Sequence, residues 1–216
     1  MKFVVTLEYP STFCLKPSNV TDRSGKSLLL PTPYAIKMSL LDVLIQYQGL
    51  EKTRQFFPEI KEAKVWWIGP QNISIFRAGV SRRSVRANYG TKRINQEFCQ
   101  YFGKFKIILD VSNVIIMKHA WTLNRLGRSG SIVNVYDVSQ ENELPSGAIE
   151  LTQPYEMSYL SFGLMQRMDN LTSSATFEQI NTMNEVQQKN TRVQFDIVIP
   201  YRIIQSGYNH TLYERL

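Results

Sequence analysis

A chain of 216 residues, 43% of them hydrophobic, is long enough to bury a core without disulfide or metal staples, and its length predicts one domain over 1–216. Its 25 Lys and Arg against 18 Asp and Glu leave a net charge of +7 at pH 7 and a pI near 9.4, which favours phosphate polymers or an anionic surface as partners. No run of about 18 apolar residues is present to cross a bilayer, and the opening MKFVVTLEYP is too short and too soon charged for an export signal, so a cytoplasmic protein with no membrane partner is expected.

Lys2 to Glu8 alternates, with Phe3, Val5 and Leu7 on one side, and predicts a half-buried strand. Residues 10–30 read as a long loop with a turn at Asp22-Arg23-Ser24-Gly25. Cys14 and Cys99, the two cysteines, form no Cys-x-x-Cys pair; they argue against structural zinc and suit a reducing compartment. A helix follows the loop. Thr32 caps it, Pro33 fits the first position where no N–H is needed, and Gly49 ends it. A shorter helix over 51–57 should stop at Pro58.

Strands are expected at 64–68 and 72–76, separated by Gly69-Pro70. The adjacent Trp66 and Trp67 predict at least one indole turned away from the core and available to a partner. The densest signal comes next, FRAGVSRRSVRANYGTKRINQEFCQYFGKFK. Arg77, Arg82, Arg83, Arg86, Lys92, Arg93, Lys104 and Lys106 face one acid, Glu97. Unpaired charges at that density cannot be buried, because each would cost several kcal/mol to desolvate. Guanidinium forks match phosphate oxygens, so a nucleic-acid backbone is the partner that uses them best.

Phe105, Ile107 and Leu109 mark another strand. Ser112 or Asn113 should cap a helix running to Leu126, with Lys118, Thr122 and Arg125 sharing a face and Gly127 at its end. Gly127-Arg128-Ser129-Gly130-Ser131 reads either as a plain turn or as an anion cradle whose small residues admit phosphate to the backbone N–H groups. Strands are predicted at 132–138, 149–151 and 192–199. The polar 165–190 stretch reads as a peripheral insertion holding a modest helix. Asn19, Asn72, Asn170 and Asn209 begin Asn-x-Ser/Thr triplets and are taken as chance matches. The strand and helix order predicts an α+β fold: a ferredoxin-like antiparallel sheet with helices on one face.

Metal and hydrolytic motifs are missing: there is no His-x-x-x-His, no Walker loop and no Gly-x-Ser-x-Gly, and no cofactor is expected. His119 reads as a structural or half-exposed side chain and His210 as a residue of a surface tail. Tyr34, Tyr89 and Tyr101 are candidates to stack on unpaired bases. The N-terminus of the first helix, with Lys37 one turn in, is a candidate phosphate site.

Four stretches together resemble the Cas-five family of CRISPR-associated RAMP proteins: KFVVTLEYP, LPTPYAIKMSLLDVL, RINQEFCQYFGKFKIILD and WTLNRLGRSGSIVNV, in the family's order over about residues 2–135. LTQPYEMSYLSFG is a weaker echo of a later stretch. The resemblance implies an RRM-like body with an inserted basic hairpin thumb, over 77–96 here. It implies a subunit that caps the 5′ handle of the CRISPR RNA in a type I Cascade complex. The partners it implies are that RNA, a backbone RAMP subunit, the large subunit, and target DNA indirectly or near its PAM end. The RNA-binding residues then expected are Lys37, Arg77, Arg82, Arg83, Arg86, Tyr89, Lys92, Arg93, Arg125 and Arg128. Two departures stand out. The glycine-rich C-terminal loop of RAMP proteins has no counterpart, since only Gly207 follows Gly163. The catalytic cluster of the RNA-processing members has no match either, so RNA binding without cleavage is expected. Two rival readings are a metal-independent endoribonuclease drawing on His119, Lys118 or Tyr89, and a structural adaptor docking through Trp66, Trp67 and 165–190.

Overall fold

The computed structural model describes residues 2–17, 25–83, 91–128, 130–154, 162–181 and 191–216, with backbone alone at 81–83 and 91–94. It is a mixed α/β chain built on antiparallel sheets. β1 (Lys2–Glu8) leads through the loop to α1 (Pro33–Gln48) and α2 (Leu50–Glu62). β2 (Val65–Ile68), β3 (Asn72–Arg83), β4 (Thr91–Phe102) and β5 (Phe105–Leu109) follow, then α3 (Val114–Ala120), β6 (Asn134–Glu141) and β7 (Ile149–Glu150). The remainder is β8 (Leu164–Leu171), α4 (Phe177–Ile180), β9 (Arg192–Ile199), β10 (Tyr201–Ser206) and β11 (His210–Arg215).

The main sheet runs β6-β1-β5-β2-β7. Val5 faces Ile107, which faces Trp67, and this row lies against the helices. Phe3, Leu7, Phe105 and Leu109 join it in a core with Ile36, Leu40 and Leu44 of α1. The opposite face carries a small second cluster, Val4, Trp66 and Ile108. Trp66 therefore does turn away from the main core, as expected, but the expectation that it is available to a partner is corrected. Trp67 is 1% exposed in the main core, and Trp66, on the far face, is only 7% exposed, with the Lys2 ammonium 4.1 Å from its ring centroid. Neither is offered to a neighbour, which removes the tryptophans from the adaptor reading.

α1 forms as its caps predict. Ala35 N donates to Thr32 Oγ1 at 3.2 Å, Pro33 takes the first turn, and Gly49 ends the helix at φ 79°, a conformation that disfavours other residues. α2 departs from expectation by running through Pro58 to Glu62. Thr53, Phe57 and Ile60 sit at i, i+4 and i+7 and are all buried, which offsets the backbone bond that proline removes. α3 is shorter than predicted. Asn113 caps it through Ile115 N, but it ends at Ala120. The chain then tightens, Thr122 N to His119 O and Leu123 N to Ala120 O, burying Leu123 and Leu126 and pairing Arg125 with Ile132. Lys118, Thr122 and Arg125 thus share no helical face.

A second sheet runs β10-β11-β3-β4. β3 and β4 pair from Asn72↔Phe102 to Arg83↔Thr91. β11 flanks β3 only from Glu214↔Asn72 to His210↔Phe76. On the other edge Phe13 bridges Cys99, and Glu97 N reaches Gly25 O. Past Arg77 and Glu97 the ribbon is two-stranded among the described residues and extends for roughly 17–20 Å at the usual rise per residue. His210 is exposed, as expected, but it is the first residue of β11 rather than part of a tail.

β8 and β9 form a third antiparallel pair. The 165–190 stretch is therefore not peripheral where it is described: Met168, Leu171, Phe177 and Ile180 are in the main core. Residues 182–190 lie outside the described residues. Gln166 ties this pair to the entry of α1, its Oε1 accepting from Leu29 N and Leu30 N at 2.9 and 3.2 Å and its Nε2 donating to Leu30 O at 3.2 Å. Gln166→Leu strands three buried backbone groups and should lower unfolding stability by roughly 2 kcal/mol, read from urea melts; an unchanged midpoint would mean that water replaces the amide.

Candidate nucleic-acid interface

Two features hold the sequence-predicted cations: a cleft at the N-terminus of α1 and the β3–β4 ribbon. The cleft encloses about 450 Å³. Thr32, Tyr34 and Ala35 bring the positive end of the α1 dipole to its wall. Arg125, Gly127 and Arg128 form the facing side. That loop is closed by its own backbone, with Leu126 N donating to Ser131 O and Ser131 N to Arg128 O. It is pinned to the chain before α1, where Ser131 Oγ meets Cys14 O at 3.3 Å. Gly127 has φ 89°, and a Cβ there would come within 2.9 Å of Leu15 Cδ2, so both its conformation and its packing call for glycine.

Four cations line this cleft, Lys16, Arg125, Arg128 and Arg192, against Asp42 and Asp169. Arg125 Nη2 bonds Asp42 Oδ2 at 2.8 Å, and Arg192 Nη1 bonds the buried Asp169 at 3.3 Å. Arg192 also lies 3.8 Å over the Tyr34 ring, covering one of its faces. Lys16 and Arg128 have no ion-pair partner among the described residues. Two of the cleft's cations, Arg125 and Arg192, are thus braced by carboxylates, and Lys16 and Arg128 are not.

Several expected residues go elsewhere. Lys37 is corrected: it is 1% exposed, and its Nζ donates to Lys61 O at 2.6 Å, closing the C-terminal end of α2. It meets no solvent, and burial pulls its pKa down to about 8 against the raising effect of Glu62. Tyr101 is corrected too. It is buried among Tyr9, Phe13 and Phe105, donates to Leu29 O at 2.6 Å, and burial holds its phenol well above the ordinary range. Arg77 is exposed at the ribbon root, its Nε 3.1 Å from Glu97 Oε1. Arg82, Arg83, Lys92 and Arg93 have backbones in the ribbon, where Arg82 pairs with Lys92 and Ser81 with Arg93. Arg86 and Tyr89 lie outside the described residues.

Arg192 and Lys16 were not foreseen. Arg192 opens a strand whose alternation is plain, yet nothing local signals that its guanidinium reaches Tyr34. His119 lines neither the cleft nor the ribbon: its Nε2 is 2.7 Å from Gln48 Nε2 and its ring stacks on Tyr47. No cluster of His, Cys, Asp and Glu that could hold a metal occurs among the described residues, and no helix there is long and apolar enough to cross a membrane.

No family model matches the chain. The CRISPR-associated protein Cas5 of Archaeoglobus fulgidus is 23% identical over 192 residues, covering 82% of this chain and 82% of that protein. The chain resembles Cas5. Among solved structures, the crystal structure of a CRISPR protein from Archaeoglobus fulgidus aligns with a TM-score of 0.48 at 13% identity, over 100% of this chain and 92% of the other. The cryo-EM structure of the Type III-B Cmr-beta complex bound to cognate target RNA contains a chain aligning with a TM-score of 0.48 at 10% identity, over 64% of this chain and 59% of that one. The Cas5 resemblance agrees with the family read from the four sequence stretches.

Proposed function

We propose that this chain is a non-catalytic CRISPR RNA-binding subunit of a type I Cascade complex that caps the 5′ handle of its RNA. The observation that carries this reading is the ribbon. Its two strands continue beyond every flanking strand described, and the part that projects is the most basic stretch of the sequence. A two-stranded ribbon is marginally stable alone, so its length and charge point to a task outside the body. The likeness to Cas5 supports a CRISPR effector subunit. The order β6-β1-β5-β2, with helices between β1 and β2 and between β5 and β6, supports the ferredoxin-like assignment, and the ribbon supports the thumb.

In this reading the arginines of 77–93 hold phosphates of the handle, while Arg125 and Arg128 hold an adjoining phosphate in the cleft. Lys37 takes no part. Phosphate contacts fix position, and selectivity comes from the edges of unpaired bases. The complex is cytoplasmic, and the remaining partners are the backbone RAMP subunit and the large subunit, with target DNA near its PAM end.

Binding of a handle-containing RNA tests it. The wild-type chain should bind with steep salt dependence, and Arg128→Ala should make the slope of log K against log salt shallower by roughly 0.7. An unchanged slope would remove the cleft from the interface. Incubation with repeat RNA in chelator separates binding from cleavage. Intact RNA is expected; discrete fragments abolished by His119→Ala would replace this reading with the endoribonuclease.

A further inference from the structure

A second cleft, of about 550 Å³, opens where the ribbon leaves the body. It is assembled from segments distant in the chain: Lys26 before α1, Arg77 of β3, Glu97 of β4, Arg167 of β8 and the turn between β10 and β11. Leu28 lines both clefts, so the two are neighbours. Three cations line it against one carboxylate, Glu97. Arg77 is paired to Glu97, and Arg167 is held by Asp196 through two bonds of 2.9 and 3.0 Å. Lys26 is exposed and without an ion-pair partner among the described residues.

The turn is the unusual part. Gly207 N donates to His210 O at 2.8 Å, and Arg77 N donates to Asn209 O at 2.8 Å. The first bond closes the turn and the second fastens it to β3. At its apex Tyr208 is 95% exposed. An aromatic ring ordinarily gains by covering most of its surface. Here a turn fastened by two backbone hydrogen bonds presents the ring to solvent, beside the cleft and the base of the basic ribbon.

We propose that Tyr208 is the platform of a second nucleotide subsite. One unpaired base of the RNA stacks on its ring, and the attached phosphate meets Lys26. The inference rests on the RNA-binding reading above. Lys26, the cation of this cleft without an ion pair among the described residues, favours an anionic group as occupant, Leu28 makes the cleft a neighbour of the first, and a π face accepts any base.

The test uses the full chain and single-stranded RNAs carrying 2-aminopurine at one position at a time. With wild-type protein, fluorescence should be quenched on binding at one or two positions. Tyr208→Ala should abolish that quenching and weaken binding about tenfold, with the salt slope unchanged because no charge is removed. Tyr208→Phe should retain both quenching and affinity. Lys26→Ala should instead make the slope shallower by roughly 0.7. Tyr208 is exposed on a turn, so its replacement leaves the core intact. Quenching and affinity of Tyr208→Ala equal to wild type would overturn the subsite while leaving the RNA-binding reading standing; this is also the result if Tyr208 serves a protein neighbour. Absence of RNA binding by the wild-type chain at low salt would overturn both.

Discussion

Replacing Arg82, Arg83 and Arg86 together with alanine should weaken RNA binding at moderate salt by roughly a hundredfold and make the log K against log salt slope shallower by about 2 units. Each arginine that neutralises a phosphate releases part of a condensed counterion, and on a single strand that is worth about 0.7 in slope, so three contacts set the size of the change. Arg82 and Arg83 belong to β3 in the part of the ribbon that no other described strand flanks. Their loss should therefore leave the folded body unchanged, with a melting curve like that of wild type. The loss should also be uniform across RNA sequences, because phosphate contacts carry no base information. A triple variant with wild-type slope would show that the ribbon is not the electrostatic anchor. A variant that loses affinity for only one sequence would assign these arginines to base edges instead.

Lys37→Met should make the protein more stable at neutral pH by about 2 kcal/mol. The side chain is buried, with one hydrogen bond to Lys61 O, and its pKa falls from 10.5 to about 8. Below pH 8 folded and unfolded chains both hold the proton, and burying the charge costs about 3 kcal/mol at 1.36 kcal/mol per unit. Between pH 8 and 10.5 the folded state has released the proton while the unfolded state keeps it. The wild type therefore gains stability as pH rises through this window, and the cost is gone above it. Methionine removes the charge at all pH values but leaves the Lys61 carbonyl without its donor, a loss of about 1 kcal/mol. Urea melts of both proteins at pH 7 and pH 10 check this: the variant should lead at pH 7, and the lead should disappear at pH 10. A variant weaker than wild type at pH 7 would mean that the ammonium supports the α1–α2 junction more than its burial costs.

Lys37 also marks the limit of reading this sequence. The helix around it was legible from Thr32-Pro33 at one end and Gly49 at the other. Its burial was not, because α1 is enclosed by α2, the sheet and β8, and a lysine near a helix N-terminus has the same local sequence whether it faces phosphate or core. Strands with clean alternation, β1, β5 and β9, were found at their places. The hairpin β10–β11 was missed: YRIIQS puts two exposed isoleucines side by side, HTLYER reads as a polar tail, and both are strands because β3 supplies a partner edge. Arg125 and Arg128 line one cleft beside the Gly-Ser loop. Their companions Arg192 and Lys16 come from far along the chain, and no periodicity encodes that meeting. Trp66 and Trp67 misled for a related reason. Adjacent residues of a strand do face opposite ways, but both faces of this sheet are covered at that position.

The pairing of β11 with β3 has a consequence for how the chain is made. His210 and Phe76 are roughly 130 residues apart in sequence, a long loop to close before their contact contributes anything. During synthesis β3 and β4 can zip early, since they are joined locally. They then wait with one polar edge uncovered until β11 emerges, and an uncovered edge is a template for pairing with other chains. The charge crowded at the far end of that hairpin repels its own copies through this interval, so the residues assigned to grip RNA in the finished protein also guard the unfinished one against self-association.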